Sequence, residues 1–159
     1  MHPHDLQSRV ASFYFEYAAV LNEARYAEWP DFFAADACDY RIVSRENHDL
    51  GLPAPLMGCY THGMVQDRVA MLIKGALTYG HMYWRHFISN VCVEEAADNT
   101  LRGHANLLVM QSDPEGNSSV YMVGRYEDIL LRHESTFRLR QRLVILDSFS
   151  IDTAIAVPL

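Results

Sequence analysis

The apolar positions of this chain change period part-way along, stepping by three and four in the first half and alternating in the second. The longest alternating stretch, Ser119 to Phe149, predicts one long β-hairpin. In its second limb Phe137, Leu139, Leu143 and Ile145 share one parity while Arg138, Arg140 and Arg142 take the other, the period of a strand with unlike faces. One face is therefore expected to be core and the other to carry three cations. The first limb is apolar on both parities, with Val120, Met122 and Leu130 on one and Tyr121, Val123, Ile129 and Leu131 on the other, so both of its faces are expected to be covered. His133 to Thr136 supply the polar turn. Met82 to Glu94 and Thr100 to Gln111 read as two further strands, punctuated by Ala97-Asp98-Asn99 and Asp113-Pro114-Glu115-Gly116-Asn117, and the four together make a meander.

The first half reads differently. Asp5 is placed to cap an amphipathic helix whose apolar positions are Leu6, Val10, Phe13, Tyr17, Leu21 and Ala24. Pro30 suits the first turn of a short second helix through Asp31, Phe32 and Phe33. Asp39 to Ser44 is a short strand by its aromatic and β-branched content, Glu46 to Pro55 a loop, and Leu56 to Tyr60 a possible strand. A third helix spans about Gly63 to Leu77, with Val65, Val69, Leu72, Ile73 and Ala76 on its apolar side. Helices first and an antiparallel meander last is the α+β arrangement, with N-terminal helices packed on one face of a curved sheet and closing it into a cone.

Composition narrows the setting. A chain of 159 residues is one domain's worth, 1–159, and needs no staples to hold a core. The net charge of -7 and pI near 5.5 exclude the positive field that a nucleic-acid or anionic-membrane surface requires. No apolar run approaches the roughly 20 residues of a membrane span, and Met1-His2-Pro3-His4 lacks the pattern of a signal peptide, so a cytoplasmic location is expected. Cys38, Cys59 and Cys92 are odd in number and widely spaced, which fits buried thiols in a reduced compartment.

Three constellations could carry chemistry. His81 and His86 form H-x4-H, a spacing used in mononuclear iron sites, but Thr78 stands where such sites carry a carboxylate three residues ahead. A pocket acid or base is the second: Asp36, Asp39, Tyr40, His86 and Tyr126 could line the cone, where a carboxyl–His pair would move protons, against the plainer reading of His86 as a satisfied core residue. The third is a ladder of Arg85, Arg102, Arg125, Arg138, Arg140 and Arg142 against Glu94, Glu127, Asp128 and Asp147. Solvated cross-strand ion pairs and docking to another subunit both account for it. On the docking reading the interface candidates are Arg85, Arg125, Asp128, Arg138, Arg140, Arg142 and Asn47.

The ordered set Leu21-Asn22-Glu23-Ala24-Arg25-Tyr26-Ala27-Glu28-Trp29, Phe32-Phe33-Ala34-Ala35-Asp36, Tyr40, Asp67-Arg68-Val69, Arg85-His86 with Ser89-Asn90-Val91, Gly124-Arg125-x-x-Asp128-x-Leu130 and Arg142-x-x-x-Leu146-Asp147 covers nearly the whole chain. It resembles the small (beta) subunits of bacterial aromatic-ring-hydroxylating dioxygenases. Glu46 to Leu52 and the ending Asp152 to Leu159 look more like the branch acting on aromatic carboxylic acids, such as terephthalate dioxygenase and salicylate 5-hydroxylase. Val43-Ser44-Arg45 lacks the proline many other members carry after that strand, a departure from the naphthalene and biphenyl branch. The resemblance implies the cone-like fold of nuclear transport factor 2, SnoaL, scytalone dehydratase and ketosteroid isomerase. It implies an α3β3 assembly with a large (alpha) subunit that holds the Rieske [2Fe-2S] cluster and the mononuclear iron, fed by a ferredoxin or reductase. This chain would then carry no cofactor and no catalytic residue. The alternatives are a free-standing isomerase or dehydratase using Asp36 or Asp39 with His86, and a module that binds a small ligand in the cone.

Overall fold

Alternation in the second half of the chain produces a curved six-stranded sheet in the order β2-β1-β6-β5-β4-β3. Its strands are β1 (Asp39–Ser44), β2 (Met57–Cys59), β3 (Tyr83–Glu95), β4 (Thr100–Ser112), β5 (Ser118–His133) and β6 (Thr136–Leu146). The structure, a computed structural model, describes residues 3–75, 81–148, 151 and 155–159. Met1, His2, Ala76, Leu77, Thr78, Phe149 and Asp152-Thr153-Ala154, on which parts of the sequence reading fall, lie outside them. β3 to β6 are the expected antiparallel meander. β1 joins β6 in parallel, which an antiparallel sheet alone did not anticipate; the chain between them is long enough for the crossover that parallel pairing needs.

The helices are α1 (Pro3–Asn22), α2 (Arg45–Asp49) and α3 (His62–Ile73). Leu6, Val10, Phe13, Tyr17 and Leu21 of α1 are buried at the expected spacing and share one core with Val65 and Val69 of α3 and the inward residues of the sheet. Asp5 sits in the first turn of α1, where its charge complements the helix dipole, and is not its cap. Ala24 lies beyond the helix end, exposed and at φ 55°. Pro30 lies inside a 3-10 segment, Tyr26–Phe32, in place of the expected second α-helix. The long loop after β1 contains α2, capped by Ser44, whose hydroxyl accepts from the Asn47 N–H at 3.2 Å. Ile73, expected on the apolar side of α3, is exposed.

Two bulges decide which side chains face inward. Leu130 pairs with Leu139 but Ile129 with Gln141, so Arg140 is an extra residue on β6, and the parity of the strand inverts there. Phe137 and Leu139 are buried before the bulge; after it Arg142, Val144 and Leu146 point inward, and Leu143 turns out to a half-buried outer position. A second bulge leaves Tyr121 unpaired between β5 and β4. Beyond it β5 alternates strictly, with even positions from Met122 to Leu130 buried and odd ones partly exposed, and Val120 and Val123 open to solvent on this chain. The expectation that both faces of this limb are covered is therefore met on the inner face alone.

β3 is a sheet edge, and α1 caps it. Asn22 Oδ1 accepts the His86 main-chain N–H at 2.7 Å, and Gln7 Nε2 donates to Val91 O. Side chains of a packed helix thereby occupy main-chain groups that would otherwise invite another strand.

Candidate functional site

The polar groups gathered inside the cone are Asp128 and Arg142, both fully buried. They are neighbours across β5 and β6, and the Arg140 bulge is what turns the guanidinium inward. Arg142 Nη2 lies 2.6 Å from Asp128 Oδ2, and Nε lies 3.1 and 3.2 Å from the two carboxylate oxygens, a two-nitrogen clamp. Tyr14 Oη donates to Asp128 Oδ2 at 2.5 Å. Gly103, opposite Asp128 on β4, makes room: a Cβ there would strike the Tyr14 hydroxyl.

The guanidinium carbon lies 3.9 Å from the Tyr126 ring centre, 4.1 Å from Tyr17 and 5.0 Å from Tyr14, so aromatic faces surround the buried cation. Burial works against the Arg142 charge, but the Asp128 carboxylate beside it and the surrounding tyrosines hold its pKa above the ordinary arginine value. Burial, then the Asp128 charge, push the Tyr14 hydroxyl up, and burial does the same for Tyr17, Tyr40 and Tyr126. Each stays a neutral hydroxyl at physiological pH. Tyr126 Oη and Arg142 Nη1 are the buried side-chain polar atoms left without a hydrogen-bond partner among the described residues.

His86 lies on β3 at the other side of the core. Its Nδ1 faces Asn22 Oδ1 at 2.9 Å and its Nε2 faces Pro158 O at 3.3 Å. The Asn22 amide is oriented by the His86 main-chain N–H, so both ring nitrogens meet acceptors while a neutral ring has one N–H to give. Burial lowers its pKa from 6.5 to about 4, against the pull of the Pro158 carbonyl and with help from the Arg142 charge. The folded chain thus refuses a proton that the unfolded chain accepts, and stability falls as pH drops from 6.5 to about 4, by about 3 kcal/mol at the lower end. Thermal melts of the chain and of His86→Gln should diverge in slope over that window, with the variant flatter; parallel slopes would show that His86 titrates normally.

The other sequence candidates are scattered. Asp36 and Asp39 line a surface hollow with Tyr60, His62 and Arg140, and Asp39 pairs with Arg41 at 2.9 Å. Asp36 is exposed and Asp39 takes the outward parity beside the buried Tyr40, whereas His86 is buried inside the cone, so the fold does not bring the acid and base together. His81 is exposed ahead of β3 while His86 is buried, and among the described residues no group of three or more His, Cys, Asp or Glu could hold a metal.

The interface candidates divide. Arg85 and Arg140 are exposed; Arg125 bonds Glu127 at 3.0 Å and Arg138 donates to Phe137 O at 3.1 Å. Asn47 braces the loop after β1 through Ala54 O at 3.1 Å. Asp128 and Arg142 leave the docking ladder altogether: Asp128 shares the inward parity of Met122 and Leu130 on β5, and the Arg140 bulge, which strict alternation could not reveal, turns Arg142 inward to meet it. Cys38 and Cys59 are buried, with the Cys38 thiol pushed up to about 12 by burial and then by neighbouring Cys59 and Asp39, so it stays protonated; Cys92 is exposed.

Comparison with known proteins places this geometry. The family described as ring hydroxylating beta subunit matches residues 16–153. The anthranilate 1,2-dioxygenase small subunit of Burkholderia cepacia is 34% identical over 143 residues, covering 90% of this chain and 88% of that protein. A terminal oxygenase component subunit, beta 2, of terephthalate 1,2-dioxygenase from a Comamonas species is 27% identical over 151 residues, 95% of this chain and 97% of its own length. Among solved structures, a chain described as the beta subunit of an aromatic-ring-hydroxylating dioxygenase from Novosphingobium aromaticivorans superposes with a TM-score of 0.85 at 30% identity, covering 97% of this chain and 96% of the other.

Proposed function

This chain belongs to the ring hydroxylating beta subunit family, and from that premise we propose that it is the non-catalytic small subunit of a cytoplasmic oxygenase whose substrate is an aromatic carboxylic acid. The observation that carries the reading is the 34% identity to an anthranilate 1,2-dioxygenase small subunit, supported by the terephthalate relative; anthranilate and terephthalate are both benzene carboxylates. The interior chemistry supports a structural role. Its tyrosines, Arg142 and His86 are each held away from titration near neutral pH, and a group that does not exchange a proton there is a poor general acid or base. Asp36 and Asp39 stand apart from His86, which counts against an isomerase or dehydratase pair.

The partner is a large subunit carrying the Rieske [2Fe-2S] cluster and the mononuclear iron, in an α3β3 assembly supplied by a ferredoxin or reductase. Its docking surface takes in Arg85, Arg125, Arg138 and Arg140 and the loop braced by Asn47, positions that project from the outer face or its rim. Arg is suited to such contacts because its guanidinium pairs bidentately with carboxylates. Co-expression with the large subunit should yield one brown complex with Rieske absorbance, and Arg85→Glu with Arg140→Glu should reduce the co-purified fraction at least several-fold while leaving the melting temperature of the free chain in place. A colourless chain that never joins the large subunit would sink the assignment; undiminished assembly of the double variant would return those arginines to the solvated face.

A further inference from the structure

The far end of the chain is bound in the cone in the manner of a ligand. Val157, Pro158 and Leu159 are buried, and among the described residues the segment 155–159 makes no main-chain pairing with the sheet. Side chains hold it instead. Tyr40 Oη accepts the Leu159 N–H at 2.9 Å, Tyr17 Oη donates to Leu159 O at 3.0 Å, and His86 Nε2 meets Pro158 O at 3.3 Å. Trp29 Nε1 donates to Tyr17 Oη at 2.9 Å and so orients that hydroxyl. The groups that touch it come from α1, β1 and β3, with Trp29 behind them from the 3-10 segment, and their hydrogen bonds to the segment are to its main chain. Below them Trp29, Phe33 and Tyr40 meet edge to face, with ring centres 5.2 to 5.8 Å apart, and the Leu159 side chain belongs to the same core.

We propose that the cone is a peptide-binding cup occupied in cis by residues 157–159, and that it accepts a short apolar peptide in trans. The recognition chemistry is two tyrosine hydroxyls and one imidazole reading consecutive main-chain groups, with apolar walls for the alternate side chains. Main-chain recognition is tolerant of sequence, whereas the buried walls exclude charge. A tethered segment acts at an effective concentration in the millimolar range, so a free peptide competes at that level or above.

The test uses the intact chain and the pentapeptide Ile-Ala-Val-Pro-Leu, which reproduces residues 155–159. With excess peptide at about 10 mM, above that effective concentration, exchange of the Leu159 amide should accelerate at least several-fold as the cis segment is displaced, while amides in the middle of β4 and β5 keep their protection. The peptide Ile-Ala-Asp-Pro-Asp should leave the Leu159 amide unchanged. In a second arm residues 155–159 are removed; the melting temperature should fall by several degrees and be restored saturably by Ile-Ala-Val-Pro-Leu, and Tyr17→Phe with Tyr40→Phe should weaken the restoration at least several-fold. Leu159 exchange indifferent to the matching peptide, or equally sensitive to both peptides, overturns the proposal, and so does a folded shortened chain that the peptide does not stabilise.

Discussion

Asp128→Ala should destabilise the chain by about 3–5 kcal/mol, the range for removing one partner of a buried ion pair, because Arg142 would remain charged and fully buried with nothing to balance it. Tyr14 loses its acceptor in the same step. For a chain of this length the melting temperature should drop by roughly 10 °C, read by circular dichroism alongside urea denaturation. The comparison that isolates the effect is Asp147→Ala: Asp147 pairs with Arg45 at 3.2 Å, but both side chains are about half exposed and solvent already screens them, so little should change. A small loss in Asp128→Ala would mean that water reaches the pair. Replacing both members, Asp128→Leu with Arg142→Met, should recover most of the lost stability, since no unpaired charge remains and the tyrosine rings can pack against the new side chains. Recovery would identify the pair's cost as desolvation balanced by mutual attraction.

The second large effect is expected at Gly124. It faces inward on β5 opposite Leu146, and a Cβ there would fall on the main-chain carbonyl of Ile145 on β6. Gly124→Ala should therefore cost about 3 kcal/mol or more, because the obstacle is backbone inside a central strand pair and the strands must separate to admit one methyl group. Gly103→Ala is the informative contrast. There the obstacle is the Tyr14 hydroxyl, the end of a side chain, which can rotate away at the expense of its bond to Asp128. The loss should be smaller than in Gly124→Ala, and Gly103→Ala combined with Tyr14→Phe should be less destabilised than the two single losses added. Equal losses at the two glycines would show that β5 and β6 yield as easily as a tyrosine ring.

Much of this architecture was legible from spacing alone. The stripe Leu6, Val10, Phe13, Tyr17 and Leu21 and the four-strand meander are local periodicities, and each segment gathers its apolar side chains on one face only in the form whose period matches theirs. β1 was found at its observed limits, Asp39–Ser44, for the same reason. The ordered residue set also pointed to the family without any help from coordinates, because it samples the chain from end to end. The 3-10 segment Tyr26–Phe32 was harder to read, since Pro30 fits a first α-helical turn equally well and only the packing of Trp29 between Phe33 and Tyr40 selects the tighter form.

Part of the charged face turns inward against simple alternation, because a strand's alternation carries no mark of a single inserted residue. Counted from Phe137, Arg142 is an outward cation; counted across the Arg140 bulge, it is the centre of the core. Nothing local distinguishes the two. What selects the bulge is tertiary: Asp128 on the neighbouring strand, Tyr14 from the helix overhead and the faces of Tyr17 and Tyr126 together make an inward Arg142 favourable, and they lie up to 128 positions away in the chain. The same holds for the segment 157–159, whose composition marks it only as apolar and whose partners are hydroxyls and an imidazole from three distant elements. By itself the sequence determined the first and third helices, the strands and their order, which rest on local period and composition, and the family, which rests on an ordered set of residues along the chain. The tertiary structure alone decided which charges are buried, since that depends on register and on neighbours remote in the chain.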